Sequence, residues 1–148
     1  MASVYFNETL IAKSGIPGVL SPQLINEEII ITYTHSIKKY YTVIMYDDQE
    51  VHSLLINIKG EDLESADILV EYKAFEPKSS NYGAIIYIYE QLGKIPLPND
   101  DFDMEKFILN YKLKLLFSVE FSILQKINKK PNVFSNRYFN TKLRQYIK

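Results

Sequence analysis

The sequence predicts a mainly β fold, an all-β sandwich with a few short helices, mostly C-terminal. Three observations predict it. Short β-branched and aromatic runs recur through the first two-thirds, Gly, Pro, Asn and Ser cluster between them, and helical spacing of apolar residues enters only after residue 100.

The turn-forming stretches come first, with Gly15-Ile-Pro-Gly18 and Ser21-Pro22. Residues 28–33 and 40–45 read as strands, joined by a connector over 34–39, and residues 54–58 read as the next strand. After Lys59-Gly60, a further strand is expected over 65–72. Residues 84–90 are apolar on both alternate faces, the pattern of a central strand covered on each side. Turn chemistry returns at 76–81 and 93–98. Residues 101–112 then predict a helix capped by Asp101, with Phe107, Ile108 and Tyr111 on one stripe. Residues 115–124 alternate as a strand, and a last helix is expected over 136–147. No repeat or linker divides the chain, so a single domain over 1–148 is expected; 148 residues can bury a core without staples.

Composition narrows the function classes. The chain has no cysteine, which excludes disulfides, thiolate catalysis and cysteine-ligated metals. No apolar run approaches the roughly 20 residues of a membrane span, and the N-terminus lacks a basic segment followed by an apolar one. The expectation is a cytoplasmic protein. Net charge is −1, but the stretch from Phe121 onward carries seven basic residues and no acid. That run could contact phosphates or an anionic surface; the simpler reading is a solvated terminal helix facing the acidic middle of the domain. With near-zero net charge and no recognised motif, nucleic acid is disfavoured as a partner.

Motifs for chemistry are missing. Ser-Gly-Ile-Pro-Gly matches neither a phosphate loop nor a dinucleotide fingerprint. The two histidines, His35 and His52, show no zinc-hydrolase spacing, and no Gly-x-Ser-x-Gly elbow is present. Nothing nominates a nucleophile with its base. The expectation is a protein that binds rather than reacts, with no cofactor and no metal.

At Tyr41-Thr-Val-Ile-Met-Tyr-Asp-Asp48 the sequence resembles the phosphatidylethanolamine-binding protein family, which includes the Raf kinase inhibitor proteins and the plant flowering regulators. The family strand Tyr-Thr-Leu-(Val/Ile)-Met-x-Asp-Pro-Asp-x-Pro is similar to residues 41–48. Its His-Phe-Leu-Val-Val-Asn-Met-Lys-Gly-Asn-Asp is similar to His52-Ser-Leu-Leu-Ile-Asn-Ile-Lys-Gly-Glu-Asp62. Upstream, Gly18-Val-Leu-Ser-Pro22 is similar to the family's Gly-x-x-Leu-Thr-Pro segment; downstream, Leu69-Val-Glu-Tyr72 with the loop through Pro77, Ile88-Tyr-Glu-Gln91 and Phe107-Ile-Leu-Asn-Tyr-Lys-Leu113 follow in the family order. The likeness spans roughly residues 15 to 125. It implies a two-sheet β-sandwich with an anion pocket at one end, which takes a phosphate-type head group. By that resemblance the pocket residues are Asp47, Asp48, His52, Pro77 and Tyr82.

The departures bear on that pocket. Asp47 and Asp48 are adjacent where the family separates two aspartates by a proline, and both loop prolines are gone. The connection to His52 is cut to Gln49-Glu-Val51, short enough for a plain hairpin. The family's Gly-x-His-Arg-Tyr stands as Ser80-Asn-Tyr-Gly-Ala84, so Tyr82 takes the histidine position and Ala84 the tyrosine position. Two readings follow. One is a binder of a phospholipid head group or phosphate anion through a reduced pocket; the other keeps the fold, has lost the ligand, and acts through a protein partner. A composition rich in Ile, Lys, Asn and Tyr fits a homologue from an AT-rich viral or parasite genome.

Overall fold

The computed structural model describes residues 1–48, 50–77, 82–98 and 103–125. Two sheets form the sandwich. The smaller has the order β2-β1-β4, from β1 (Ala2–Phe6), β2 (Thr9–Lys13) and β4 (Ile29–Tyr33), all antiparallel. The larger has the order β3-β9-β8-β5-β6-β7. Its strands are β3 (Gly18–Leu20), β5 (Tyr40–Asp47), β6 (Val51–Lys59), β7 (Asp67–Val70), β8 (Gly83–Glu90) and β9 (Lys114–Ile123). Among the described residues only the β3–β9 pair is parallel; the other pairs of this sheet are antiparallel.

Side-chain alternation divides the large sheet into two apolar faces. Tyr41, Val43 and Met45 of β5, Ala84, Ile86 and Ile88 of β8, and Val119, Phe121 and Ile123 of β9 point inward. There they meet Val4, Phe6, Ile31 and Tyr33 of the small sheet. The opposite face carries Ile44, Leu54, Ile56 and Tyr89, covered by Phe107 of helix α1 (Met104–Asn110) and by Ile95. Ile86 and Ile88 are fully buried, and each such side chain contributes roughly 1.5–3 kcal/mol. The expected central, doubly covered strand is therefore β8, held between β9 and β5.

Two bulges in β6 set which residues face which way. The pairs Val43↔Leu55 and Tyr41↔Ile58 leave β6 with one extra residue, and Asn57 there takes φ 56°. Asn tolerates this left-handed conformation better than most residues. Its effect is to send Ile58 to the inner face although Ile56 faces outward. The pairs Met45↔Ser53 and Tyr46↔Val51 make His52 the extra residue of the second bulge. Gly18 is required by close approach: a Cβ there would lie 1.7 Å from the Ile11 carbonyl oxygen.

Several boundaries differ from those expected. β1 (Ala2–Phe6), β2 (Thr9–Lys13) and β3 (Gly18–Leu20), the last of them amid turn residues, are not among the strands expected from the sequence. The strand expected over 65–72 shortens to Asp67–Val70, preceded by a 3-10 turn at Leu63–Ser65 whose cap is Asp62. The helix starts later than expected. Asp103 is its cap, with Oδ1 accepting from the Lys106 N–H at 3.2 Å. Residues 101 and 102, the expected helix over 136–147 and the basic residues from Lys126 onward lie outside the described residues.

Candidate functional site

β5 and β6 meet in a tight hairpin that the Asp47 side chain helps to close. Its Oδ1 accepts from the Glu50 backbone N–H at 2.8 Å, and the Asp47 N–H donates to the Glu50 carbonyl at 3.1 Å. Strand alternation after Met45 turns the carboxylate toward the inner face. There Oδ2 lies 2.6 Å from His52 Nε2 and also accepts from the Tyr82 hydroxyl. Side-chain exposure is 2% for His52 and 6% for Asp47. Turn and site are thus the same residues.

The second ring nitrogen of His52 is also engaged. Nδ1 lies 2.6 Å from the Lys73 backbone oxygen, which can only accept, so Nδ1 carries a proton and donates. The Lys73 N–H in return donates to the His52 carbonyl at 2.8 Å. The ring packs on Phe75 with centroids 4.5 Å apart, and Phe75 meets Phe121 edge-on at 5.9 Å. The segment after β7 therefore walls the imidazole in. Glu50 lies at the rim, its Oε1 3.8 Å from His52 Nε2 and its Oε2 3.1 Å from Lys73 Nζ.

Burial is the main reason that the Tyr82 phenol titrates well above its ordinary range, followed by its hydrogen bond to Asp47 and that residue's charge. The hydroxyl stays a donor to Asp47 through neutral pH. Asp47, Glu50 and His52 bring ligand-type atoms within 4.8 Å of one another, so these three could hold a metal. Their present partners are hydrogen bonds and the Lys73 ammonium, which a metal would have to displace.

Of the residues that the resemblance implies, three come together: Asp47, His52 and Tyr82. Asp48 is exposed and lines an adjacent cleft of about 430 Å³, with Asp47, Tyr82, Tyr46, Gly83, Phe121 and Glu120 among its walls. Pro77 is half-buried and is not among the described residues lining that cleft. Four participants escaped sequence reasoning: Glu50, the Lys73 carbonyl, Phe75 and Glu120. Only Glu50 had a local signal, as the residue three after Asp47 in a hairpin-length connection. The other three arrive through long-range contacts.

A second polar cluster is buried at the far end of β5. Gln91 Oε1 accepts from Thr42 Oγ1 at 2.7 Å and from the Asn57 N–H at 2.8 Å. Gln91 Nε2 donates to Asn57 Oδ1 at 2.9 Å. Asn57 Oδ1 also accepts from the Ile95 N–H, and Asn57 Nδ2 donates to the Ile95 carbonyl, both at 2.7 Å. Asn57 and Gln91 belong to the stretches that carry the family likeness, and here they lock β5, β6, β8 and the 91–95 loop together.

A carboxypeptidase Y inhibitor, solved in complex with its cognate proteinase, has a matching structure. It aligns with a TM-score of 0.65 over 84% of this chain and 83% of the inhibitor, at 14% identity. That inhibitor has the phosphatidylethanolamine-binding protein fold. The fold is shared. In sequence, no family model matches the chain, and no curated protein does. At this identity the likeness to the inhibitor carries the phosphatidylethanolamine-binding protein fold alone, two sheets and few helices. No helix among the described residues is long and apolar enough to cross a membrane.

Proposed function

We propose that this chain is a non-enzymatic interaction protein on the phosphatidylethanolamine-binding protein fold, acting through a protein partner, with its former anion pocket closed by its own side chains. One observation carries the reading: Asp47 Oδ2 takes both His52 Nε2 and the Tyr82 hydroxyl, while His52 Nδ1 is spent on Lys73. A phosphate-type ligand needs convergent donors. Here those donors face a carboxylate of the same chain, behind an imidazole that is 2% exposed. A phosphate entering would meet the charge of Asp47 and would have to take its partners away. The inhibitor of the same fold, solved with a proteinase, is a precedent for protein recognition on this scaffold.

Titration of the full chain with inorganic phosphate and with phosphoethanolamine, followed by NMR at the His52 ring, tests this. No response is expected from either at millimolar concentration. A protein captured on the immobilised chain is expected to stay bound in excess phosphoethanolamine. A saturable His52 response that His52→Ala abolishes would return the pocket to anion binding.

A further inference from the structure

A strand at the end of a sheet offers unpaired N–H and C=O groups to any chain that lies beside it, and proteins usually blunt such edges. Among the described residues the edge strands are β2 and β4 of the small sheet and β3 and β7 of the large one. Three of them are blunted. β2 is covered where Gly18 of β3 approaches the Ile11 carbonyl and Lys13 bridges Ile16. β3 has three residues, set between Pro17 and Pro22. β7 has four and opens on a charge, Asp67.

β4 has none of these devices. Ile29-Ile-Ile-Thr-Tyr33 contains no charge and no proline, and its pairing with β1 runs without a bulge. The Asn7 N–H donates to the Glu28 carbonyl at 2.7 Å, and the Thr34 N–H to the Met1 carbonyl at 3.0 Å. By alternation, residues 28, 30, 32 and 34 turn their backbone groups toward β1. Ile29, Ile31 and Tyr33 turn theirs to the open side. There, among the described residues, the Tyr33 carbonyl alone has a partner, His35 Nδ1 at 2.8 Å.

Charge indicates what fits that edge. Glu27 and Glu28 precede the strand and Lys38 and Lys39 follow it, all exposed. Lys39 pairs with Glu90 at 2.5 Å, whereas Glu27, Glu28 and Lys38 make no ion pair among the described residues. An edge that is acidic at one end and basic at the other complements itself when two copies run antiparallel. The outer face agrees. Leu10, Tyr5 and Ile30 form one cross-strand row, with Leu10 42% and Ile30 40% exposed. A pairing centred on Ile31 sets Ile30 against Thr32 of the second copy and brings the two Ile30 side chains together diagonally.

We infer that β4 is a dimerisation edge, pairing antiparallel with β4 of a second copy about a two-fold axis at Ile31 and joining the two small sheets into one. Such a dimer is independent of the Asp47–His52 cluster, and the phosphate titration bears on that cluster alone.

Sedimentation equilibrium of the full chain reads the association. The average mass is expected to rise with concentration from 17.3 kDa toward twice that value. Ile30→Lys should associate roughly tenfold more weakly, because it sets like charges across the axis and removes an apolar contact. The position is exposed, so the urea midpoint should stay unchanged. The register has its own test, since the chain has no cysteine. Ile30 and Thr32 would meet across the axis as a non-hydrogen-bonded pair with Cα atoms about 4.5 Å apart, within disulfide reach. An oxidised mixture of Ile30→Cys and Thr32→Cys chains is therefore expected to yield mainly the mixed disulfide. A parent that sediments as a monomer throughout would overturn the inference and leave the edge to a strand of another protein. A folded Ile30→Lys variant that associates like the parent, or disulfides formed without preference for the mixed pair, would overturn it too.

Discussion

Two buried polar clusters sit at opposite ends of β5, and they solve the same problem with different chemistry. At the Asn57–Gln91 end, amides pair with one another, with backbone groups and with the Thr42 hydroxyl, and Asn57 Nδ2 also donates to Asp67 Oδ2 at 2.8 Å. Each oxygen accepts twice, and the Gln91 amide nitrogen also donates to the Gly93 carbonyl at 2.9 Å. At the Asp47–His52 end, one carboxylate oxygen serves an imidazole and a phenol, so the cluster depends on where protons sit. Buried amides cost little once every group is paired. A buried carboxylate also has its charge to compensate. The first cluster is therefore a strut built around two amides, while the second centres on one carboxylate shared by an imidazole and a phenol.

The largest expected effect breaks the strut. Asn57→Ala would strand the Ile95 N–H, take the amide donor from the Asp67 carboxylate and put an alanine at φ 56°. A loss of about 4 kcal/mol is expected, from two unsatisfied groups and a left-handed residue, read as a lower urea midpoint at unchanged slope. Asp47→Ala strikes the other cluster and leaves His52 Nε2 and the Tyr82 hydroxyl without their acceptor. About 3 kcal/mol is expected by the same measurement. If Asp47→Ala costs nothing, the closed-pocket description is wrong.

Tyr82→Phe separates the clusters by pH. At neutral pH it removes one hydrogen bond to a charged acceptor, about 1.5 kcal/mol. The Tyr82 phenol is raised in the folded chain above its ordinary value near 10, by burial first and then by Asp47. Its contribution to stability is complete below that ordinary value and is lost as pH climbs toward the folded one. The variant should therefore lose less stability than the parent above pH 10. Some alkaline loss will remain, because burial pushes Tyr72 up to about 12 and raises Tyr33 as well. Stability curves at stepped pH check this, and identical alkaline slopes would contradict it.

The smallest effect is expected from Lys73→Ala, within about 0.5 kcal/mol. Its ammonium and Glu50 form a partly exposed pair, whereas His52 holds the backbone oxygen, which the substitution keeps. A loss comparable to that of Asp47→Ala would mean that the side chain, not the backbone, secures the imidazole.

The amide strut was legible as part of the family likeness, since Asn57 and Gln91 fall in its strands, but its role as a lock was not. The closed cluster was legible as three residues, Asp47, His52 and Tyr82, within an expected set that also included Asp48 and Pro77. Asp48 instead lines the cleft, and Pro77 is not among the described residues there. Adjacent aspartates look alike in a sequence, but strand alternation sends Asp47 inward and leaves Asp48 exposed.

By itself the sequence determined the fold class, the central place of β8, the apolar stripe of α1 and the hairpin length between Asp47 and His52. All of these follow from local periodicity and connection length, which neighbouring residues encode. Tertiary structure alone decided that His52 is a bulge residue and that the Lys73 carbonyl and Phe75 enclose it. Those facts depend on register between strands far apart in the chain, where a one-residue slip turns a side chain to the other face.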